Sequence, residues 1–278
     1  MVVDAGDGLL LHLDTSGDGP PLLLLHGFTG SSAVWSPLRA ALNGKHATIA
    51  VDLPGHGRSS SPRDSERYSL TRFADDIVRV LDALDLDRVA LLGYSMGGRA
   101  ALRVALAHSD RVAALVLESA SPGIADPAQR AERVAADVAL ATRIERDGVA
   151  AFVLRWEDLP MWVSQRRLPE PVLEAQRAQR KANDARGLAN SLRGAGAGVE
   201  GSVLPRLVGL HMPTLVVVGA LDEQYAALGR SLQQALPDAR LAVVADAGHS
   251  VHLERPDAFA ATVLAFLSEV PSVDSRWR

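Results

Sequence analysis

Apolar residues in this chain fall into short unbroken runs separated by stretches of helical spacing. Residues 22–26, 48–52, 89–92, 112–117, 214–218 and 241–245 are apolar runs bounded by Gly, Pro or Asp. Runs of this length without polar alternation predict strands buried on both faces, as in a parallel sheet covered by helices on each side. Between them, residues 34–42, 70–84, 96–108, 226–236 and 256–267 carry apolar side chains at helical spacing, with Pro256 where a first helical turn tolerates proline. Residues 9–14 are expected to add an antiparallel edge strand. The alternation predicts an α/β fold.

The pattern changes between residues 122 and 202. No strand is expected there; residues 129–146, 149–156, 170–181 and 185–192 mix Ala, Val and Leu with charges at helical spacing. A stretch this long and this periodic is a helical insertion and not a loop. Residues 194–201, rich in Gly, read as the return linker. The expected organisation is a core in two pieces, 1–121 and 203–278, with a helical cap over 122–202.

The strongest chemical signal is Gly93-Tyr94-Ser95-Met96-Gly97-Gly98-Arg99, placed between a strand and a helix. A serine on a sharp strand-to-helix turn needs small residues two before and two after it, and Gly93 and Gly97 meet that need. The turn exposes the hydroxyl beside the positive end of the following helix dipole. A serine needs an imidazole to take its proton. Of the eight histidines, His249 follows the last strand, at the sheet edge where such folds place their sites. Gly248 would allow the turn that presents it. His252 is the rival, with helix packing or a surface place as its bland role.

The orienting acid is expected at Asp222, just after the strand 214–218, with Glu118 after 112–117 as the competitor; Asp246 lies too close to His249 along the chain. An oxyanion hole needs two backbone N–H donors, expected from Met96 and from Phe28 in Leu25-His26-Gly27-Phe28. His26 reads as loop support, and Asp52-Leu53-Pro54-Gly55-His56-Gly57 as a turn.

Composition narrows the partners. Among 278 residues, 47% are hydrophobic, enough for a sizeable core, and the formal net charge is −4. No basic stripe supports nucleic-acid binding. There is no cysteine, hence no disulfide framework or thiolate metal site. The start of the chain has Asp4 and Asp7 but no positive flank, and no apolar run reaches the ~20 residues needed to span a bilayer. A soluble cytoplasmic protein without membrane attachment is expected. No ligand cluster, phosphate loop or dinucleotide fingerprint is present, so no metal or organic cofactor is expected.

These motifs, in this order, resemble the α/β-hydrolase superfamily across nearly the whole chain, implying a mostly parallel central sheet with helices on both faces and the cap inserted before the last two strands. A closer resemblance is to the 2-succinyl-6-hydroxy-2,4-cyclohexadiene-1-carboxylate synthases of menaquinone biosynthesis. It is carried by Gly93 to Arg99, by Glu118 leading through Pro122-Gly123 to Gln129-Arg130-Ala131-Glu132-Arg133, and by Trp156, Arg180-Lys181-Ala182-Asn183 and Leu188-Ala189-Asn190-Ser191-Leu192. The resemblance implies a lyase that removes pyruvate from a tricarboxylate, with the triad as base. It implies Tyr94, Arg99, Arg133, Trp156 and Arg180 as substrate contacts, since guanidinium groups grip carboxylates by paired hydrogen bonds. Residues 126–193 hold 12 basic and 10 acidic side chains, a weak positive excess in a negative chain. The alternatives are a carboxylester or carbon–carbon bond hydrolase using the same triad, and a ligand sensor that has kept it.

Overall fold

The chain opens with an antiparallel pair, β1 (Val2–Asp4) and β2 (Leu10–Ser16), in the computed structural model, which describes residues 1–270. Six further strands follow: β3 (Pro21–Leu25), β4 (Ala47–Val51), β5 (Val89–Tyr94), β6 (Val112–Glu118), β7 (Thr214–Gly219) and β8 (Ala239–Val244). They form one eight-stranded sheet in the order β1-β2-β4-β3-β5-β6-β7-β8. All pairings from β4 to β8 are parallel, and β2 joins β4 antiparallel.

Every residue of β3, β4, β5, β6 and β7 is buried, as the unbroken apolar runs predicted. β8 differs. It closes the other edge, and Val243 is 51% exposed. The antiparallel edge expected at residues 9–14 lies one place inward, because β1 pairs outside it. Three residues of β1 are too few to leave a periodic signal; only Val3 of them is buried.

Helices cover both faces. Leu22 and Leu24 face a core with Trp35, Leu38, Phe259 and Val263, contributed by the 3-10 turn Ser32–Trp35 with α1 (Ser36–Leu42) and by the C-terminal helix Pro256–Glu269. Leu23 and Leu25 face the opposite core with Phe73 and Ile77 of α2 (Leu70–Ala83) and with Ala101 and Val104 of α3 (Met96–Ala107). Helix α2 starts where the Ser69 side chain accepts the Arg72 N–H, and it buries Leu70, Phe73, Ala74, Ile77, Val80 and Leu81 along one stripe. Each large apolar side chain so buried contributes about 1.5–3 kcal/mol.

Between β6 and β7 come α4 (Pro127–Glu157), the 3-10 segment Pro160–Arg167, α5 (Glu170–Lys181) and α6 (Ala185–Ala195). Helix α4 turns at Gly148, whose φ of 80° is open to glycine and costly for other residues. The segments expected at 129–146 and 149–156 are its two arms. Helices α4 and α6 share a core of Ala141, Ile144, Phe152, Val153, Leu188, Ala189 and Leu192. After β7, helix α7 (Glu223–Ala235) leads to β8, followed by the one-turn α8 (Val251–Glu254) and the final helix, α9, already given as Pro256–Glu269. Of the expected core segment 203–278, residues 271–278 lie outside the described ones. Among the described residues, no helix is long and apolar enough to cross a membrane.

Candidate active site

Ser95 stands between β5 and α3 with φ 52° and ψ −109°, a strained conformation for a residue with a side chain. The turn closes because Gly93 and Gly97 lack side chains. A methyl on Gly93 would strike the Gly97 backbone, and one on Gly97 would strike the carbonyls of Leu25 and His26. The Ser95 N–H donates to the Glu118 carbonyl at 2.9 Å, which fixes the elbow to β6.

The Ser95 hydroxyl lies 3.0 Å from His249 Nε2, and His249 Nδ1 lies 2.8 Å from Asp222 Oδ2. Asp222 is also the N-cap of α7: its Oδ1 accepts the Tyr225 N–H at 3.1 Å. One carboxylate therefore holds both the imidazole and the start of a helix. With Nδ1–H donating to Asp222, Nε2 is left as the acceptor facing the serine.

Glu118 occupies a parallel position and holds a different histidine. Its buried carboxylate accepts the His252 backbone N–H at 2.9 Å and meets His252 Nδ1 at 2.8 Å. Two carboxylate–imidazole pairs thus stand side by side at the sheet edge, and Ser95 faces only one. Asp246 is exposed and lies 3.4 Å from Arg255. Gly248 has no left-handed φ. Its lack of a side chain makes room for Ser164 of the 3-10 segment, so its reason for being glycine is a close approach and not the expected turn.

His26 accepts the Leu53 N–H at Nε2 (3.0 Å) and reaches the Gly27 carbonyl with Nδ1 (2.8 Å), which ties the β3 loop to the β4 loop. Burial lowers its pKa, so it stays neutral. His56 beside it is pushed down to about 3, mainly by burial. Asp52 accepts backbone N–H groups of Ser32 and Arg58, the work of a turn residue.

A cavity of about 200 Å³ opens on Ser95 and His249, between the sheet edge and the helices of the 122–202 segment. Phe28, Tyr94, Met96, Arg99, Arg133 and Trp156 line it, as do Asp137, Trp162 and Tyr225. Met96 opens α3, so its N–H belongs to a first turn without intrahelical acceptors. Phe28 packs edge-on against Trp156, with ring centroids 5.6 Å apart. The Tyr94 hydroxyl is 2.6 Å from Ser250 Oγ, which also accepts Gln165 Nε2 at 3.1 Å.

The arginines divide. Arg99 donates to the carbonyls of Ala195 (2.7 Å) and Gly196 (3.2 Å) at the end of α6, using two of its five N–H groups. Arg133 spends Nε on Asp137 at 2.9 Å. Arg180 does not join them. It is 5% exposed, pairs with Glu157 at 3.3 Å, lies over the Trp162 ring at 5.1 Å, and lines a neighbouring recess. The expected convergence of three arginines on the serine is corrected to two. The physical reason is that a buried guanidinium takes the nearest carboxylate, and Glu157 supplies it.

Sequence reasoning missed Trp162, whose ring stands 5.6 Å edge-on to His249, and Tyr225, at 4.3 Å from the same imidazole. An indole amid the polar residues of 160–167 was a usable signal for the first. Nothing in the pattern singles out Tyr225, three residues after the acid.

The alpha/beta hydrolase fold model matches residues 20–256. A Bacillus subtilis protein provisionally named 2-succinyl-6-hydroxy-2,4-cyclohexadiene-1-carboxylate synthase is 41% identical over 90% of this chain and 90% of its own. The Serratia proteamaculans synthase of that name is 33% identical over 90% of this chain and 94% of its own length. MenH from S. aureus superposes with a TM-score of 0.89 at 32% identity, covering 93% of this chain and 98% of that one. A thermophilic esterase from Thermogutta terrifontis, with malate bound, gives 0.87 at 26% identity, covering 97% and 98%. The chain belongs to the α/β-hydrolase superfamily of enzymes, and within it is similar to the 2-succinyl-6-hydroxy-2,4-cyclohexadiene-1-carboxylate synthases.

Proposed function

We propose that this enzyme is a lyase of menaquinone biosynthesis, which eliminates pyruvate from 2-succinyl-5-enolpyruvyl-6-hydroxy-3-cyclohexene-1-carboxylate. The observation that carries the reading is that the Ser95–His249–Asp222 chain opens into a cavity holding the guanidinium groups of Arg99 and Arg133. A tricarboxylate substrate calls for such charge. The kinship with the synthases supports the same substrate.

In this reading Ser95 acts as a base. Its oxygen takes a ring proton from the substrate while its own proton passes to His249 Nε2, and Asp222 stabilises the resulting imidazolium. The electrons of the broken C–H bond move toward the succinyl carbonyl, where the N–H groups of Phe28 and Met96 receive the developing charge. They return to break the ring C–O bond, and the enolpyruvyl group leaves as the enolate of pyruvate, which regains a proton from His249. Arg99 and Arg133 hold carboxylates, Tyr94 and Trp156 shape the cavity, and Arg180 acts only through Trp162. Residues 122–202 serve as the cap over the core of 1–121 and 203–278, and the enzyme works in the cytoplasm on a small anionic substrate.

One observation favours a hydrolase instead. Asp137 lines the cavity and offsets one of its two guanidinium charges, which suits a less anionic ester. Incubation with the enolpyruvyl intermediate, followed by enzymatic detection of pyruvate, separates the two. Release of pyruvate that depends on Ser95 supports the lyase; turnover of neutral esters without it supports the hydrolase.

A further inference from the structure

Tyr225 is the third residue of α7, and the helix cap that starts at Asp222 carries it into the cavity. Its ring stands edge-on to His249 at 4.3 Å, at an interplanar angle of 68°. Its backbone N–H donates to Asp222 Oδ1 at 3.1 Å. The hydroxyl itself has no hydrogen-bond partner among the described residues. It is not among the sealed, partnerless polar atoms either, so the oxygen keeps accessible surface.

That placement leaves the phenol as a donor unspent on the protein and reachable from the cavity. A partly buried hydroxyl ordinarily finds an acceptor within the protein or in water. Burial raises the pKa of Tyr225, and the guanidinium groups of Arg99 and Arg133 pull the other way. The group is therefore an intact O–H donor at neutral pH, set beside two cations, one of which has already given its Nε to Asp137.

We propose that Tyr225 is a specificity-determining residue, whose hydroxyl donates to an oxygen of the carboxylate that Arg99 and Arg133 attract. A hydrogen bond from a neutral donor to an anion is short and strong compared with one to a neutral oxygen. The hydroxyl thus favours a carboxylate over an amide of the same shape. Its ring meanwhile limits how far the bound group can approach His249. The inference rests on the anionic-ligand part of the proposed function and is independent of the lyase step.

Benzoate and benzamide are the probes, since they share a shape and differ in charge. Binding is read by fluorescence of the cavity-wall residues Trp156 and Trp162, with wild type and Tyr225→Phe, after thermal melts establish that both are folded. The wild type should bind benzoate more tightly than benzamide. In Tyr225→Phe the benzoate dissociation constant should rise about 10- to 100-fold, as for a hydrogen bond to a charged acceptor, and that of benzamide by a clearly smaller factor, about 2- to 10-fold, as for one to a neutral carbonyl. Benzoate affinity unchanged in the variant, or equal losses for both probes, would overturn the proposal. So would a wild type that does not prefer the anion. A wild type that prefers benzoate yet releases no pyruvate from the enolpyruvyl intermediate would defeat the lyase reading and leave this one standing.

Discussion

Replacing Asp222 by Asn separates its two jobs. Asparagine is as good an N-cap as aspartate, so α7 should keep its first turn and the fold should survive. If the amide oxygen stays on the Tyr225 N–H, as Oδ1 does at 3.1 Å, the amide NH2 faces His249 Nδ1. Two donors cannot meet, so the imidazole shifts its proton to Nε2. That nitrogen then donates toward Ser95, 3.0 Å away, and can no longer accept from it. Loss of the correct tautomer costs a triad about 10⁴-fold in turnover, which corresponds to roughly 5 kcal/mol of barrier. The assay is pyruvate release under saturating substrate, with a thermal melt alongside. We expect kcat to fall by about that factor, KM to stay within about threefold, and the melting temperature to move by only a few degrees. The comparison variant is Glu118→Gln, which disturbs the buried His252 pair and should act chiefly on stability. If Asp222→Asn keeps activity within about tenfold of wild type and Glu118→Gln abolishes it, the assignment of the acid is wrong.

Ser95→Ala should abolish turnover without lowering the melting temperature, since the elbow is held by backbone contacts; activity near wild type in a folded sample removes the central claim. Arg99→Ala should raise KM about 10- to 100-fold, a loss of about 1.5–3 kcal/mol, and added salt should raise the wild-type KM less steeply than expected for exposed pairs. An unchanged KM would argue for a neutral substrate. His56 has a folded pKa of about 3, below its unfolded value of 6.5. The stability gained by burying the neutral ring is therefore complete above pH 6.5 and is lost as pH falls toward 3. His56→Gln should flatten the fall in melting temperature across that window, and an equally steep fall in the variant would refute the linkage.

Much of this architecture was legible because buried parallel strands leave continuous apolar runs, and β3 to β7 did so. The ends were less legible. β1 pairs through three residues, which carry no period, and β8 reads as buried although both of its faces are only partly covered. At the site, Ser95, His249 and Asp222 could be ordered along the chain because each follows a strand at the same sheet edge, and the structure brings them within hydrogen-bond distance. The choice between Asp222 and Glu118 was a matter of which histidine each carboxylate reaches, and that is a question of side-chain direction. Arg180 failed for the same kind of reason. Its motif fits the cavity, but its partner Glu157 lies 23 residues away on another helix, and such a pairing leaves no periodic mark in the sequence. Tyr225 left no signal because no pattern around it marks a side chain that turns into the cavity.

The helices above the active site have a core of seven buried residues, none of which belongs to the two cores that flank the sheet. Phe28 is the aromatic that packs against both the helical cluster and the core on the α2–α3 side. A lineage could therefore remodel the upper helices, altering the shape and charge of the pocket, while the elbow and its two imidazoles stay under separate selection. Substitutions among Leu140, Trp156 and Leu192, which these helices present to the cavity, would explore new ligands at little risk to the chemical engine below. Changes at Phe28 would be felt by both, which makes that one ring the hinge of the protein's evolvability.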